Sequence, residues 1–323
     1  MQPALERKWG QTVQGGMGTR ITHKAYGENP RRAFAAVQAE LKRLEKLLSR
    51  FEEGSEISKI NRIAGLARVK ISRETFSLLH HAQQISRLCG GAFDVTIGPL
   101  VKLWNVCHAG HSPKEADILA ARALTGFSML VLDRGNVTAK LTKPGQMIDL
   151  GGVGKGYASD RAMEVFARCG IRSAYTNIGG NVSTLGAKPD GSPWQVGIRH
   201  PRQAGQMIGA VSVVNKAVVT SGDYERYFVD EAGKRRHHLL DPATGYPAES
   251  GLISVTVVSK SAMEADALST VLFVSGLQKG LKLLRHFPSA QAVLVNDQLG
   301  VTITGGLKDC FTPAFGIRAE CTP

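Results

Sequence analysis

Asp266 and Thr270 stand one helical turn apart in the run DALST, within a stretch whose pattern predicts a helix from Ser261 to about Val274. At that spacing their side chains share a helix face. A carboxylate and a hydroxyl are hard oxygen donors, suited to Mg2+ and not to zinc. Taken alone, the pair reads more simply as an acid favoured by the helix dipole beside an ordinary threonine. A second segment, Asp149–Gly156 (DLGGVGKG), lies where a strand gives way to a helix. Its glycines let main chain approach a ligand, and the helix N-terminus that follows favours phosphate. It is not a Walker A loop, because Asp149 occupies the place of the first glycine and Gly156 follows Lys155 where Ser or Thr is required. The spacing of Gly152, Gly154 and Gly156 also fails the GxGxxG dinucleotide fingerprint. A turn built for close packing fits the local sequence equally well.

The third segment is HHLLDPATG, from His237 to Gly245. Asp-Pro-Ala-Thr-Gly is a strong turn signature, and His238 precedes it by three residues. A neutral histidine is a natural general base near neutral pH. His237, following Lys234, Arg235 and Arg236, reads as a solvated residue on a basic strand. In GGAFDVTIGP, Asp94 either accepts hydrogen bonds from a ligand ring or caps a loop. VTSGDYERY, from Val219 to Tyr227, reads as a binding turn or an ordinary hairpin end, and NIGGN, from Asn177 to Asn181, as another glycine turn after a strand.

The elements that must hold these residues follow from periodicity. Thr19–Tyr26 reads as a strand. Asn29 caps a helix that opens on Pro30 and repeats Phe34, Val37, Leu41, Leu44 and Leu48 on one face. Residues 51–61 read as a polar loop with one short turn. Arg73–Leu88 repeats the helical pattern and stops at Cys89-Gly90-Gly91. Residues 129–132 and 136–141 suggest a hairpin, Gly154–Arg168 a helix, and residues 172–227 short strands and turns. Leu252–Ser259 is strand-like, Leu277–Phe287 a further helix, and residues 292–296 and 301–304 closing strands. Strands and helices mix without strict alternation, which favours an α+β fold.

The chain of 323 residues is 43% apolar and 21% charged, ordinary for a globular protein, but only 6% aromatic, so aliphatic side chains must carry the core. The net charge of +13 is scattered, with no long basic block and few interleaved aromatics. That argues against nucleic acid and suits phosphorylated ligands or an acidic partner. The five cysteines (Cys89, Cys107, Cys169, Cys310 and Cys321) show no CxxC spacing, so buried free thiols are expected in place of a disulfide framework or a zinc site. The N-terminus lacks an apolar core of the signal-peptide kind, and no stretch of about 18 apolar residues occurs, so no membrane span is expected.

In order, Met17-Gly18-Thr19, FEEGSEISKIN, GGAFDVTIGPLVKLW, IDLGGVGKGYASD, NIGGN, PWQVGIRHP, TSGDYERYF, HHLLDPATGYP and SVTVVSKSAMEADALSTVLFVSG form a series that resembles the ApbE family of FAD:protein FMN transferases, from about Met17 to Ile317. The resemblance implies a T-fold-like α+β architecture of mixed sheets and packed helices with a flavin cleft. It implies a single domain over residues 17–318, an N-terminal arm over 1–16 and a C-terminal tail over 319–323. It implies Mg2+ held by Asp266, Thr270 and the main-chain carbonyl of Gly152, with Ser269 as an extra ligand. Flavin contacts carry over to Met17, Phe51, Ala92, Phe93, Asp94, Asp149, Lys155, His238 and Leu240, and His238 takes the place of the family's proposed base. Relatives often carry tyrosine at the position of Phe51, so stacking is retained here and a hydroxyl hydrogen bond is lost. The implied reaction takes FMN from FAD to a Ser or Thr hydroxyl of an acceptor protein, a subunit of an electron-transfer complex or a reductase, and releases AMP. FAD is then a substrate and not a redox cofactor. Hydrolysis of FAD to FMN and AMP, or flavin binding without turnover, are the alternative readings. Most relatives carry an export signal and this sequence shows none, which leaves cytoplasmic and periplasmic locations both open.

Overall fold

The computed structural model describes residues 9–106 and 111–322. Two strands, β1 (Trp9–Gly16) and β2 (Thr19–Tyr26), pair antiparallel across a turn in which Met17 and Gly18 both take positive φ. Within the expected N-terminal arm, residues 9–16 form a sheet strand; residues 1–8 lie outside the described residues. Helix α1 (Pro30–Leu48) starts as expected, with the Asn29 side chain accepting from Arg32 N–H and Pro30 in the first turn. Helix α2 (Glu56–Arg62) replaces the expected polar loop. Ser55 caps it by accepting from Ser58 N–H, a signal hidden by the polar composition of the segment.

Beyond the short β3 (Val69–Lys70), α3 (Arg73–Leu88) has the predicted bounds, and Ser72 caps it. Glu56 accepts from both N–H and Oγ of Ser72, which ties α2 to the start of α3. Two short helices were not anticipated, α4 (Gly98–Trp104) and α5 (Glu115–Arg122). Strands β4 (Leu130–Asp133) and β5 (Thr138–Leu141) form the expected hairpin, and β3 joins it at the free edge of β5.

Helix α6 (Gly154–Arg168) has the predicted bounds. There follow β6 (Ser173–Ile178), β7 (Asn181–Leu185), β8 (Trp194–Arg199), β9 (Met207–Val213) and β10 (Ala217–Gly222), so the Thr-Ser-Gly turn of the sequence reading is the end of a strand. A small hairpin, β11 (Tyr227–Val229) and β12 (Arg235–His237), leads into the Asp-Pro turn. Strand β13 (Leu252–Ser259) is followed by α7 (Ala262–Leu284). The two helices expected here are both present within α7, separated at Gly276, whose φ of 74° and ψ of 173° are not helical; Ser250 Oγ donates to the Phe273 carbonyl beside the break. Strands β14 (Gln291–Asn296), β15 (Val301–Thr304), β16 (Phe311–Pro313) and β17 (Ala319–Thr322) complete the chain. Residues 319–322 pair parallel with β15, so the expected tail is an edge strand.

Nine strands make the main sheet, in the order β1-β2-β6-β7-β10-β13-β14-β15-β17. Helices α1, α3, α6 and α7 contribute to the large aliphatic core on one face, with Val37, Leu79, Ala162 and Leu268 among the fully buried residues. The three-stranded sheet β16-β9-β8 packs on the other face through Trp194, Val211 and Phe311. Strand β13 is buried along its whole length because both faces are covered. A register shift at Ile253 changes the phase of its side chains: Leu252 faces the helices, Ile253 the small sheet, and Val255 and Val257 the helices again. Of the described cysteines only Cys89 is buried; Cys169 and Cys321 are exposed and Cys310 half-buried, contrary to expectation, and Cys107 lies outside the described residues. Among the described residues no helix is long and apolar enough to cross a membrane.

Candidate active site

The glycine bend is clamped before it begins. The Asn61 side chain pairs with the main chain of Ile148 in both directions, at 2.7 and 3.0 Å, and Asp149 N–H donates to the Val95 carbonyl at 2.7 Å. A Cβ at Gly98 would lie 2.5 Å from the Met147 carbonyl oxygen, so glycine is required where the two segments touch. Residues 92–98 and 147–152 therefore run side by side, which brings the buried Ala92, Phe93 and Asp94 up to the bend. Burial pushes the Asp94 carboxyl upward, against the hydrogen bonds that Thr96 N–H and Oγ1 donate to Oδ1 at 2.7 and 2.8 Å. Asp94 is thus a buried loop-forming acid, to which the Phe127 main-chain N–H also donates.

The bend then meets α7. Gly156 N–H donates to Asp266 Oδ2 at 2.9 Å, and a Cβ at Gly156 would sit 2.3 Å from the Ala262 carbonyl oxygen. In return, Asp160 on α6 accepts from Ser261 Oγ, Ala262 N–H and Met263 N–H, capping the first turn of α7. Each helix thus caps the other. Lys155 Nζ lies 3.5 Å from Asp266 Oδ1. Gly152 is at the same place, since a Cβ there would be 3.6 Å from Thr270 Oγ1 and 3.1 Å from the Phe93 ring. Asp266, Thr270, Gly152, Lys155 and Phe93 are therefore brought together. Ser269 is not free to join them: it is fully buried, shares a hydrogen bond of 2.7 Å with Ser221 and donates to the Asp266 carbonyl.

On the outer side of the bend, Asp149 accepts from Gly151 N–H and pairs with Arg50 Nε at 2.6 Å. The Arg50 guanidinium also lies over the Phe51 ring, 4.2 Å from its centroid. Phe51 is 79% exposed, an apolar face met by the Arg50 guanidinium.

The two histidines are held in opposite tautomers. His238 Nδ1 lies 3.2 Å from the Arg226 carbonyl, which only accepts, so Nδ1 carries the proton and Nε2 keeps a lone pair. Loss of hydration lowers the imidazole to about 4, and the charges of Arg226, His237 and Lys155 add to that. His237 is buried, not solvated as its basic neighbours suggested. Its Nε2 donates to the Ala248 carbonyl, its Nδ1 accepts from Leu239 N–H, and the ring packs edge-on against Phe273. Trp104 Nε1 donates to the Gly245 carbonyl at 2.8 Å and so fixes the turn after His238. Leu240 is buried with Leu100, Trp104 and Ile118, so its side chain belongs to that cluster. Met17 stands apart at the tip of β1–β2, its N–H donating to Glu45.

The sequence reading passes over Arg50, and it quotes Asn61 and Asp160 only inside motifs, without a role for either. Asp160 carried one signal, its place one turn after Gly156 on the same helix face. Cavities of about 720 Å³ beside Trp9 and Phe34, and of about 360 Å³ beside Asp160 and Ser183, include none of Asp266, Thr270, Lys155 or His238 in their walls.

The sequence model of the ApbE family matches residues 17–294. The FAD:protein FMN transferase of Klebsiella pneumoniae is 38% identical over 299 residues, 92% of each chain. That of Treponema pallidum is 34% identical over 313 residues, 91% of this chain and 86% of the relative. The crystal structure of the ApbE protein from Thermotoga maritima superposes with a TM-score of 0.87 at 34% identity, covering 94% of this chain and 99% of that one.

Proposed function

The chain belongs to the ApbE family, and on that premise we propose that it transfers the FMN half of FAD to a Ser or Thr hydroxyl of an acceptor protein, with AMP as leaving group. The observation that carries this reading is the meeting of Asp266, Thr270 and the Gly152 bend beside Lys155, at the N-terminus of α6.

The donor set there fits Mg2+. Asp266 Oδ2 is spent on Gly156, which leaves Oδ1; Thr270 Oγ1 has no hydrogen-bond partner among the described residues; and the Gly152 carbonyl is a third hard oxygen. Bound by these three, magnesium supplies neutralisation of the diphosphate oxygens and of the charge that develops on the departing phosphate. The protein's own groups do the rest. The start of α6 and the Lys155 ammonium attract the diphosphate bridge of FAD. Phe51 offers an open ring for stacking, and in this reading Ala92, Phe93, Asp94 and Asp149 line the flavin half. The acceptor hydroxyl attacks the FMN-side phosphorus; His238 Nε2 takes its proton, and the bond to the bridging oxygen breaks to release AMP. The acceptor belongs, in this reading, to an electron-transfer complex or a reductase.

Incubation with FAD, Mg2+ and a flavin-acceptor domain tests this. Flavin fluorescence on the acceptor band of a denaturing gel, and loss of that signal with EDTA, are expected. Free FMN and AMP without labelled acceptor would replace transfer by hydrolysis.

A further inference from the structure

Asp266 is buried, yet only one of its carboxylate oxygens is hydrogen-bonded among the described residues. The other faces Lys155 Nζ at 3.5 Å, an ionic contact longer than a good hydrogen bond. The Lys155 side chain is 28% exposed, so its ammonium keeps contact with water while it compensates the carboxylate. Lys155 also stands on the first turn of α6, where the diphosphate is expected. An ion held by Oδ1 and the ammonium beside that oxygen compete for a single negative charge.

We propose that Lys155 is a displaceable counter-cation of Asp266: it neutralises the carboxylate while no divalent ion is bound, and the arrival of the ion releases it toward the diphosphate. The proposal rests on the reading of Asp266 as a metal ligand. It makes Lys155 a positioning residue that couples metal uptake to diphosphate binding. No covalent step is involved. The locked ammonium weakens metal binding and is itself withheld from the diphosphate, so each ligand favours the other by freeing the same side chain. A lysine that merely stood near both sites would repel the metal and attract the diphosphate without linking the two.

The test uses flavin-free protein, with Mn2+ alone as the metal probe, followed by EPR, and ADP as the diphosphate probe, followed by calorimetry. Lys155→Met is expected to bind Mn2+ about tenfold more tightly than the unsubstituted protein, and Lys155→Arg no more tightly. The factor by which Mn2+ tightens ADP binding, corrected for the Mn–ADP complex in solution, is expected to fall several-fold in Lys155→Met. Unchanged Mn2+ affinity in that variant, or an unchanged coupling factor, overturns the exchange. Asp266→Asn separates the premise: if it binds Mn2+ as well as the parent does, the metal assignment itself fails. Lys155→Gln, with its thermal melt recorded, serves if the methionine variant does not fold.

Discussion

Gly156 gives its main-chain N–H to Asp266 Oδ2 at 2.9 Å, and the absence of a side chain at Gly156 is what lets α7 come that close. Through this one glycine Asp266 caps the start of α6, the helix crossing closes, and Oδ1 is the carboxylate oxygen left open to Lys155. A Cβ at this position would stand 2.3 Å from the Ala262 carbonyl oxygen and 2.8 Å from Asp266 Cβ, and main-chain atoms cannot yield as a flexible side chain can. Gly156→Ala should therefore cost about 1–3 kcal/mol, in the range for overpacked interiors. It should also lower Mn2+ affinity, because Asp266 is pushed off the bend. Gly154→Ala is the control: there a Cβ would meet only Leu150 Cβ at 3.7 Å, an ordinary contact. Thermal melts and metal titrations of the two variants check this, and equal behaviour would refute it.

His238 should set the acid limb of the reaction. Its Nδ1 proton is fixed on the Arg226 carbonyl, and desolvation lowers the ring to about 4, so Nε2 is free to accept a proton throughout the neutral range. The profile of kcat/KM should rise with pH through the imidazole value of the free enzyme and stay flat toward neutrality. The limb in kcat should lie at higher pH, because the bound diphosphate favours imidazolium. His238→Ala should lose about 10²–10⁴-fold in transfer and the acid limb with it. A variant that keeps that limb would show that another group titrates.

The contrast between what periodicity exposes and what it hides is sharp in this chain. Helices α1, α3 and α6 carry both a repeating apolar face and a start or stop signal, and their bounds were readable. Helix α4 was not, because the short apolar run GPLVKLW carries no period that separates a helix from a strand. The Asp266–Thr270 pair was visible as a spacing, but its local reading favoured an ordinary helix acid. The family resemblance lifts it above that, and Gly152 and Gly156 pack against α7 at the same place. Asn61 on Ile148, Arg50 on Asp149 and Asp160 on the first turn of α7 are long-range contacts between residues without periodic relation, and composition leaves no trace of them. His237 misled for the same reason: its basic neighbours announce a solvated strand, while its own ring turns inward to Ala248 and Phe273.

Phe51 should act through its exposed face alone. The ring is uncovered except for the Arg50 guanidinium, so truncation leaves little to collapse. Phe51→Ala should leave the melting temperature within about a degree, as for surface changes. It should weaken FAD binding by about 1–3 kcal/mol, the range for stacking of an aromatic ligand ring. Phe51→Tyr keeps the stack and adds a hydroxyl, and should bind FAD at least as tightly. Flavin fluorescence titration measures both, and unaltered affinity in Phe51→Ala would remove this ring from the site.

His23 should make the fold acid-sensitive independently of the active site. It is fully buried on β2, stacked on Phe34 and edge-on to Phe166, and neither ring nitrogen has a hydrogen-bond partner among the described residues. Burial lowers its imidazole from 6.5 to about 4. In that interval the unfolded chain binds the proton more readily than the folded one, so stability falls as pH drops from 6.5 toward 4 and is intact above 6.5. The loss should reach about 3 kcal/mol at the acid end, at about 1.4 kcal/mol per pH unit. His23→Leu removes the titration and the two unpaired nitrogens while filling a similar volume. It should match or exceed the parent in stability at pH 7 and lose stability less steeply on acidification. Denaturant melts at pH 7, 6, 5 and 4 decide this, and parallel pH curves for the two proteins would assign the acid sensitivity elsewhere.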